Sequence, residues 1–318
     1  MGAAGHAHSH HGHDHGHGHH HAPAAGADRR WLTVALALIA GFMIVEVVAA
    51  VLADSLALLS DAAHMLTDAG ALALALVAAR LAARPPGGRF TFGLGRAEIV
   101  SAQLNGASLL VLAGVIAWEG VRRLGSPPDV DGAVVLATGL AGAVVNVAAA
   151  AALGRAERRS LNVEGARAHV LADLFASLAA ALAGLVVLVA GYARADPLLA
   201  LLVAALMVRS GWSLLRRATG VLLEASPQGL DPAAIGMALA AHPGVREVHD
   251  LHVWEVTSGF AALSAHVLVP TGDDCHGRRE ELERLLAERF GLEHTTLQVE
   301  HEPAGGLLDI APRSSSGG

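Results

Sequence analysis

The stretch from Leu58 to Leu76, LLSDAAHMLTDAGALALAL, constrains the chain more than any other. It sets Asp61, His64 and Asp68 into a run that otherwise reads as a membrane helix. Positions four apart lie one above the other on an α-helix, so His64 and Asp68 present an imidazole and a carboxylate side by side. His169 and Asp173 repeat the same H-x-x-x-D spacing in a second apolar segment, AHVLADLFASL. A charge at mid-bilayer costs roughly 2.5–3.5 kcal/mol even on insertion scales, so two such pairs are poorly explained by hydrogen bonding between helices alone. Facing each other, the two helices would supply two nitrogens and two carboxylate oxygens. That is a closed four-ligand shell suited to Zn2+ or the similar Cd2+, whereas an all-oxygen shell would suit Mn2+ or Mg2+. Asp61 lies three residues before His64 on nearly the same face, placed to orient the imidazole, to accept a proton or to sit at the outer mouth.

The rest of the chain agrees with a membrane setting. Of its 318 residues, 53% are hydrophobic, and the long apolar runs exceed what an ordinary soluble protein carries. All 22 basic residues are arginine, a compositional bias rather than a functional signal. Cys275 is the one cysteine, so no intrachain disulfide is available. No cleavable signal peptide is expected. Residues 1–30 hold ten of the 19 histidines, irregularly spaced with Gly, Ala, Ser and Asp. Such a segment cannot build a core and is expected to be a disordered, metal-collecting tail rather than a tag with an unbroken histidine run.

Six spans follow, within a transport domain expected over 31–217. They run from Trp31 to about Ala53, Leu56 to Leu81, Ile99 to Leu124, Ala133 to Leu153, Ala168 to Ala190 and Pro197 to Leu215. Arg29, Arg30, Arg80, Arg84, Arg89, Arg96, Arg155, Arg158, Arg159, Arg167, Arg216 and Arg217 fall on one side, against Arg122, Arg123 and Arg194 on the other. The positive-inside rule therefore puts both termini in the cytoplasm of a multi-pass protein of the inner (plasma) membrane. Glu46, Asn105, Glu119 and Asn146 are read as interhelical or interfacial groups. Arg96 and Glu224 flank the two halves of the chain and are expected to form a charge contact that couples them.

Beyond Leu223 the pattern becomes that of a soluble α+β domain, expected over 224–303, with 304–318 disordered. Asp231 caps a helix that opens on Pro232. Val245–Val256 and Phe260–Val269 alternate as strands around Ser258-Gly259. Asp274–Phe290 is a charged helix and Thr295–Glu300 a last strand. His249, His266, His294, Glu300 and His301 are candidate metal ligands on these strands, with His276 a weaker one at a helix start. His252 is read as structural.

The motifs ADSLALLSDAAHMLTD, FGLGRAE, HVLAD and HPGVREVHDLHVWEV, spread over residues 31 to 303, resemble those of the cation diffusion facilitators. The resemblance implies six transmembrane helices and a ferredoxin-like cytoplasmic domain through which the chain forms a homodimer. It also implies exchange of cytoplasmic Zn2+ for protons at His64, Asp68, His169 and Asp173. Some relatives carry a histidine within the FGxG motif as part of a loop metal site. Here Leu94 takes that place, so no loop site is expected. Glu300-His301-Glu302 stands where relatives end on His-x-Asp. The expected partners are the lipid bilayer, divalent ions and protons, with no nucleic acid. The competing functions are an intramembrane zinc enzyme and a membrane zinc sensor. A catalytic zinc keeps an open position that two complete pairs would fill. A sensor would not need six spans around a buried site.

Overall fold

The computed structural model describes residues 25–52, 56–125, 132–156, 160–192 and 194–302. The histidine-rich stretch 1–24 and residues 303–318 lie outside these, as do the side chains of Glu46, Asp61 and His64. Six long helices come first: α1 (Ala25–Leu52), α2 (Leu56–Ala82), α3 (Arg96–Gly125), α4 (Gly132–Leu153), α5 (Leu161–Ala190) and α6 (Ala195–Leu222). Among the described residues, α3 to α6 are each long and apolar enough to cross a membrane. The chain is a polytopic α-helical membrane protein with a C-terminal α+β domain.

The helices pack in pairs, α1 along α2, α3 along α6 and α4 along α5. Leu32, Ala35 and Ile39 of α1 recur at helical spacing and bury against Leu72, Ala75, Leu76 and Ala79 of α2. On the far side of α2, the same cluster takes in Val163, Ala166 and Val170 of α5. Small residues let backbones approach where lipid supplies no hydrophobic drive. A Cβ added at Gly184 would stand 2.5 Å from the Leu136 nitrogen, and one at Gly139 2.6 Å from the Ala181 nitrogen, so α4 fixes α5 by direct backbone contact.

Several boundaries differ from the sequence expectation. Helix α5 begins at Leu161, where a span was expected only from Ala168, because the Ser160 side chain accepts a hydrogen bond from the Val163 N–H at 3.2 Å and caps the end. The stretch 161–167, expected as basic loop, is therefore helical, and His169 sits more than two turns inside α5. Helix α6 likewise continues past Leu215 to Leu222. Helix α1 opens at Ala25, ahead of Trp31, whose ring lies 5.4 Å from the guanidinium carbons of both Arg30 and Arg155.

The C-terminal domain contains α7 (Pro232–Ala240), β1 (Glu247–Thr257), β2 (Phe260–Val269), α8 (Cys275–Phe290) and β3 (His294–His301). The sheet order is β1-β2-β3, with β1 antiparallel and β3 parallel to the central β2. Ile235 and Leu239 of α7 and Leu282 and Leu286 of α8 bury against Val253, Leu263, Ala265, Val267 and Leu297 of the sheet. Among the described residues, polar contacts tie this domain to the helices. Arg96 Nη2 lies 3.4 Å from Glu224 Oε1, Arg96 Nε donates to the Val256 carbonyl at 3.2 Å, and the Leu161 N–H donates to Ser258 Oγ at 3.1 Å. A cleft of about 930 Å3 opens along this joint between the 89–97 loop and β1.

Candidate metal centre

Helices α2 and α5 run antiparallel, which the Asn162 amide fixes by donating from Nδ2 to the Ala75 carbonyl at 2.8 Å. With that register set, Asp68 and His169 meet. His169 Nε2–H donates to Asp68 Oδ1 at 2.9 Å, and Asp173, one turn further along α5, completes a group whose ligand atoms lie within 4.8 Å of one another. Asp68, His169 and Asp173 are 4, 1 and 8% exposed. Two of their polar atoms, His169 Nδ1 and Asp173 Oδ2, are buried with no hydrogen-bond partner among the described residues. An uncompensated buried polar atom costs about 1–3 kcal/mol. The cluster thus gathers buried ligand atoms whose hydrogen-bonding capacity the described residues leave partly unused. His64 lies one turn before Asp68 on α2. Its side chain, like that of Asp61, is outside the described residues.

Asn162 is the residue that sequence reasoning missed in this region. It is fully buried, yet it falls in the stretch expected as basic loop. The Ser160 cap just before it was the available signal. Asn105 and Asn146 are buried, at 2 and 7% exposure. Glu119 pairs with Arg122 at 3.2 Å and Arg123 at 2.8 Å near the end of α3.

The candidate ligands of the C-terminal domain divide among three places. His249 and His266 face each other across β1 and β2, with stacked rings 5.3 Å apart. Glu300 Oε1 approaches His266 Nδ1 at 3.6 Å, and Asp250 Oδ2 lies 4.0 Å from His266 Nε2. Asp250 adopts φ 51 at a shift in strand register, a conformation that Asp tolerates better than most residues. This irregularity brings a carboxylate to the histidine pair that strict strand alternation would not place there. His294 is elsewhere, at the opposite end of β3, with its ring edge-on to Phe260 and Phe92. His301 is elsewhere again, its Nε2 3.4 Å from Cys275 Sγ and 3.0 Å from the Asp273 carbonyl. The backbone N–H of His276 donates to Asp274 Oδ1. His252, expected to be structural, is an exposed side chain paired with Asp250 at 3.0 Å.

Comparison with known proteins matches the sequence of this chain to one group of proteins. The profile described as "Cation efflux transmembrane domain" matches residues 32–223, and that described as "Cation efflux protein, cytoplasmic domain" matches residues 227–302. The "Zinc transporter ZitB" of Escherichia coli is 38% identical over 281 residues, 88% of this chain and 90% of that protein. The "Metal cation efflux system protein CzcD" of Cupriavidus metallidurans is 38% identical over 279 residues, 87% of this chain and 88% of that protein. The "Cadmium, cobalt and zinc/H(+)-K(+) antiporter" of Bacillus subtilis is 36% identical over 282 residues, 87% of this chain and 90% of that protein.

Proposed function

This chain belongs to the cation efflux family of membrane transporters, and we propose that it carries Zn2+, with Cd2+ as a second substrate, out of the cytoplasm in exchange for protons. It is a secondary transporter, not an enzyme. The observation that carries the finer reading is the buried Asp68–His169–Asp173 group between α2 and α5, with His64 one turn from Asp68 to complete a tetrahedral shell.

The exchange follows from the ligand types. A ring nitrogen that carries a proton has no lone pair for a metal ion, so the proton held between His169 Nε2 and Asp68 Oδ1 is given up to Asp61 or to water when Zn2+ arrives. Protons entering from the other side reverse the step and expel the metal. Alternating exposure of the site to the two sides turns this competition into transport. Asp61, one turn from His64 towards the opposite end of α2, serves as the proton acceptor or orients the imidazole.

In this reading both termini are cytoplasmic, the protein lies in the inner (plasma) membrane, and 1–30, 31–217, 224–303 and 304–318 form tail, transport domain, metal-sensing domain and tail. The C-terminal domain forms the homodimer. Its His249–His266–Asp250–Glu300 group binds Zn2+ as a regulatory ligand, and Arg96 and Glu224 couple it to the helices. His294 and His301, apart from that group, contribute less.

The test is a Zn2+ titration of weakly buffered full-length protein, following metal binding and pH together. Proton release should accompany binding, and His169→Ala should remove the buried share of both. Binding without proton release in the intact protein would contradict the exchange.

A further inference from the structure

Helix α6 carries an arginine that neither the transport site nor the joint between the domains uses. Arg209 lies midway along the helix, about 20 Å from Asp196 near one end and about 12 Å from Arg217 near the other at 1.5 Å per residue. Those two residues mark the membrane faces. Asp196 lies 3.8 Å from Arg123, and Arg217 grips Glu164 with two hydrogen bonds of 2.7 and 2.5 Å. Arg209 is therefore at hydrocarbon depth, in the half of the bilayer nearer the C-terminal domain. Its side chain is exposed, as are those of Trp212, Ser213 and Arg216. Spacings of three, four and seven residues put all four on one stripe of α6.

Neither Arg209 nor Arg216 has a hydrogen-bond or ion-pair partner among the described residues. An unpaired guanidinium in hydrocarbon is costly, and such residues almost always find a partner, face a water-filled cavity or snorkel towards the headgroups. Among the described residues, no free carboxylate stands opposite Arg209. Glu98 is buried on α3, Glu119 is held by Arg122 and Arg123, and Glu164 is held by Arg217. A second copy that paired this stripe with its own α6 about a two-fold axis along the membrane normal would set Arg209 against Arg209, which repels.

We propose that the Arg209–Trp212–Arg216 stripe is a binding site for the headgroup of an anionic phospholipid. The planar guanidinium of Arg209 matches a phosphodiester with two parallel hydrogen bonds. Arg216, about 10 Å further along at interfacial depth, reads the same negative charge. Trp212, 60% exposed between them, packs its ring on the glycerol and upper acyl chain. Leu202 and Leu206, at 58 and 43% exposure, continue the stripe as an apolar track for the acyl chains.

The test is native mass spectrometry of the full chain in detergent, titrated with phosphatidylglycerol or phosphatidylcholine. The intact protein should retain phosphatidylglycerol in preference to phosphatidylcholine. Arg209→Gln should weaken phosphatidylglycerol about tenfold and leave phosphatidylcholine unchanged, and Arg216→Gln should weaken it less. Equal retention of the two lipids by the intact protein would overturn the site and needs no variant to fold. So would undiminished phosphatidylglycerol binding in Arg209→Gln. So would efficient disulfide cross-linking of Trp212→Cys to its own copy in membranes, which would mean that a second subunit covers the stripe.

Discussion

Two regions of this molecule gather the same ligand chemistry under opposite solvation. Between α2 and α5, Asp68, His169 and Asp173 are at most 8% exposed. On the sheet of the C-terminal domain, the side chains of His249, His266, Glu300 and Asp250 are 45, 35, 43 and 62% exposed. Buried ligands must be paired, protonated or metal-bound at all times, because water cannot stand in for a missing partner. Exposed ligands carry no such compulsion and exchange metal for water freely. In the proposed function, this difference separates a transport site that swaps one cation for another from a regulatory site that reports how much metal is present.

The sharpest way to break this comparison is to remove a buried ligand. Asp68→Asn and His169→Ala should each reduce Zn2+ flux to the background of empty liposomes, although the chain still inserts and folds. Next in size is Asn162→Leu, which deletes the amide that holds α5 to the Ala75 carbonyl and should destabilise the helix bundle by about 1–3 kcal/mol. A thermal melt in detergent reads this, and flux should fall with the population of correctly registered site. On the exposed side, His266→Ala should leave maximal flux intact. It should shift the Zn2+ concentration for half-maximal activity by a factor on the order of tenfold or less. Maximal flux lost in His266→Ala would erase the distinction between the two regions. Smallest is Glu224→Arg. The pair it breaks is 43 and 65% exposed on its two sides and is worth at most about 1 kcal/mol in stability. Its effect should therefore be a modest loss of coupling, recovered by adding Arg96→Glu in a double-mutant cycle.

The two regions also differed in how readily they could be read from sequence. The buried Asp68–His169–Asp173 cluster was legible because a charge in an apolar helix has few explanations and residues four apart share a helix face. The side chain of His64, the fourth expected ligand, lies outside the described residues. The strands of the C-terminal domain were legible from alternation, and their placement on one three-stranded sheet followed. Asn162 was hidden because arginines before and after it make 155–167 look like loop, and one serine cap outweighs them locally. Asp250 was hidden because its place beside His266 depends on a left-handed backbone at a register shift, which no periodicity encodes. His294 and His301 shared a strand with Glu300 in the sequence. They stand at the two ends of β3, and its register on β2 sets His294 beside Ala262 and His301 beside Val269, where each meets different neighbours.

The most direct test of the exchange is Zn2+ uptake into proteoliposomes under an imposed pH gradient, comparing the intact protein with Asp173→Ala. The account predicts uptake that scales with the gradient, collapses when an ionophore dissipates it, and is absent in the variant. Zn2+ that binds the intact protein but never crosses, or crosses equally well in Asp173→Ala, would contradict it.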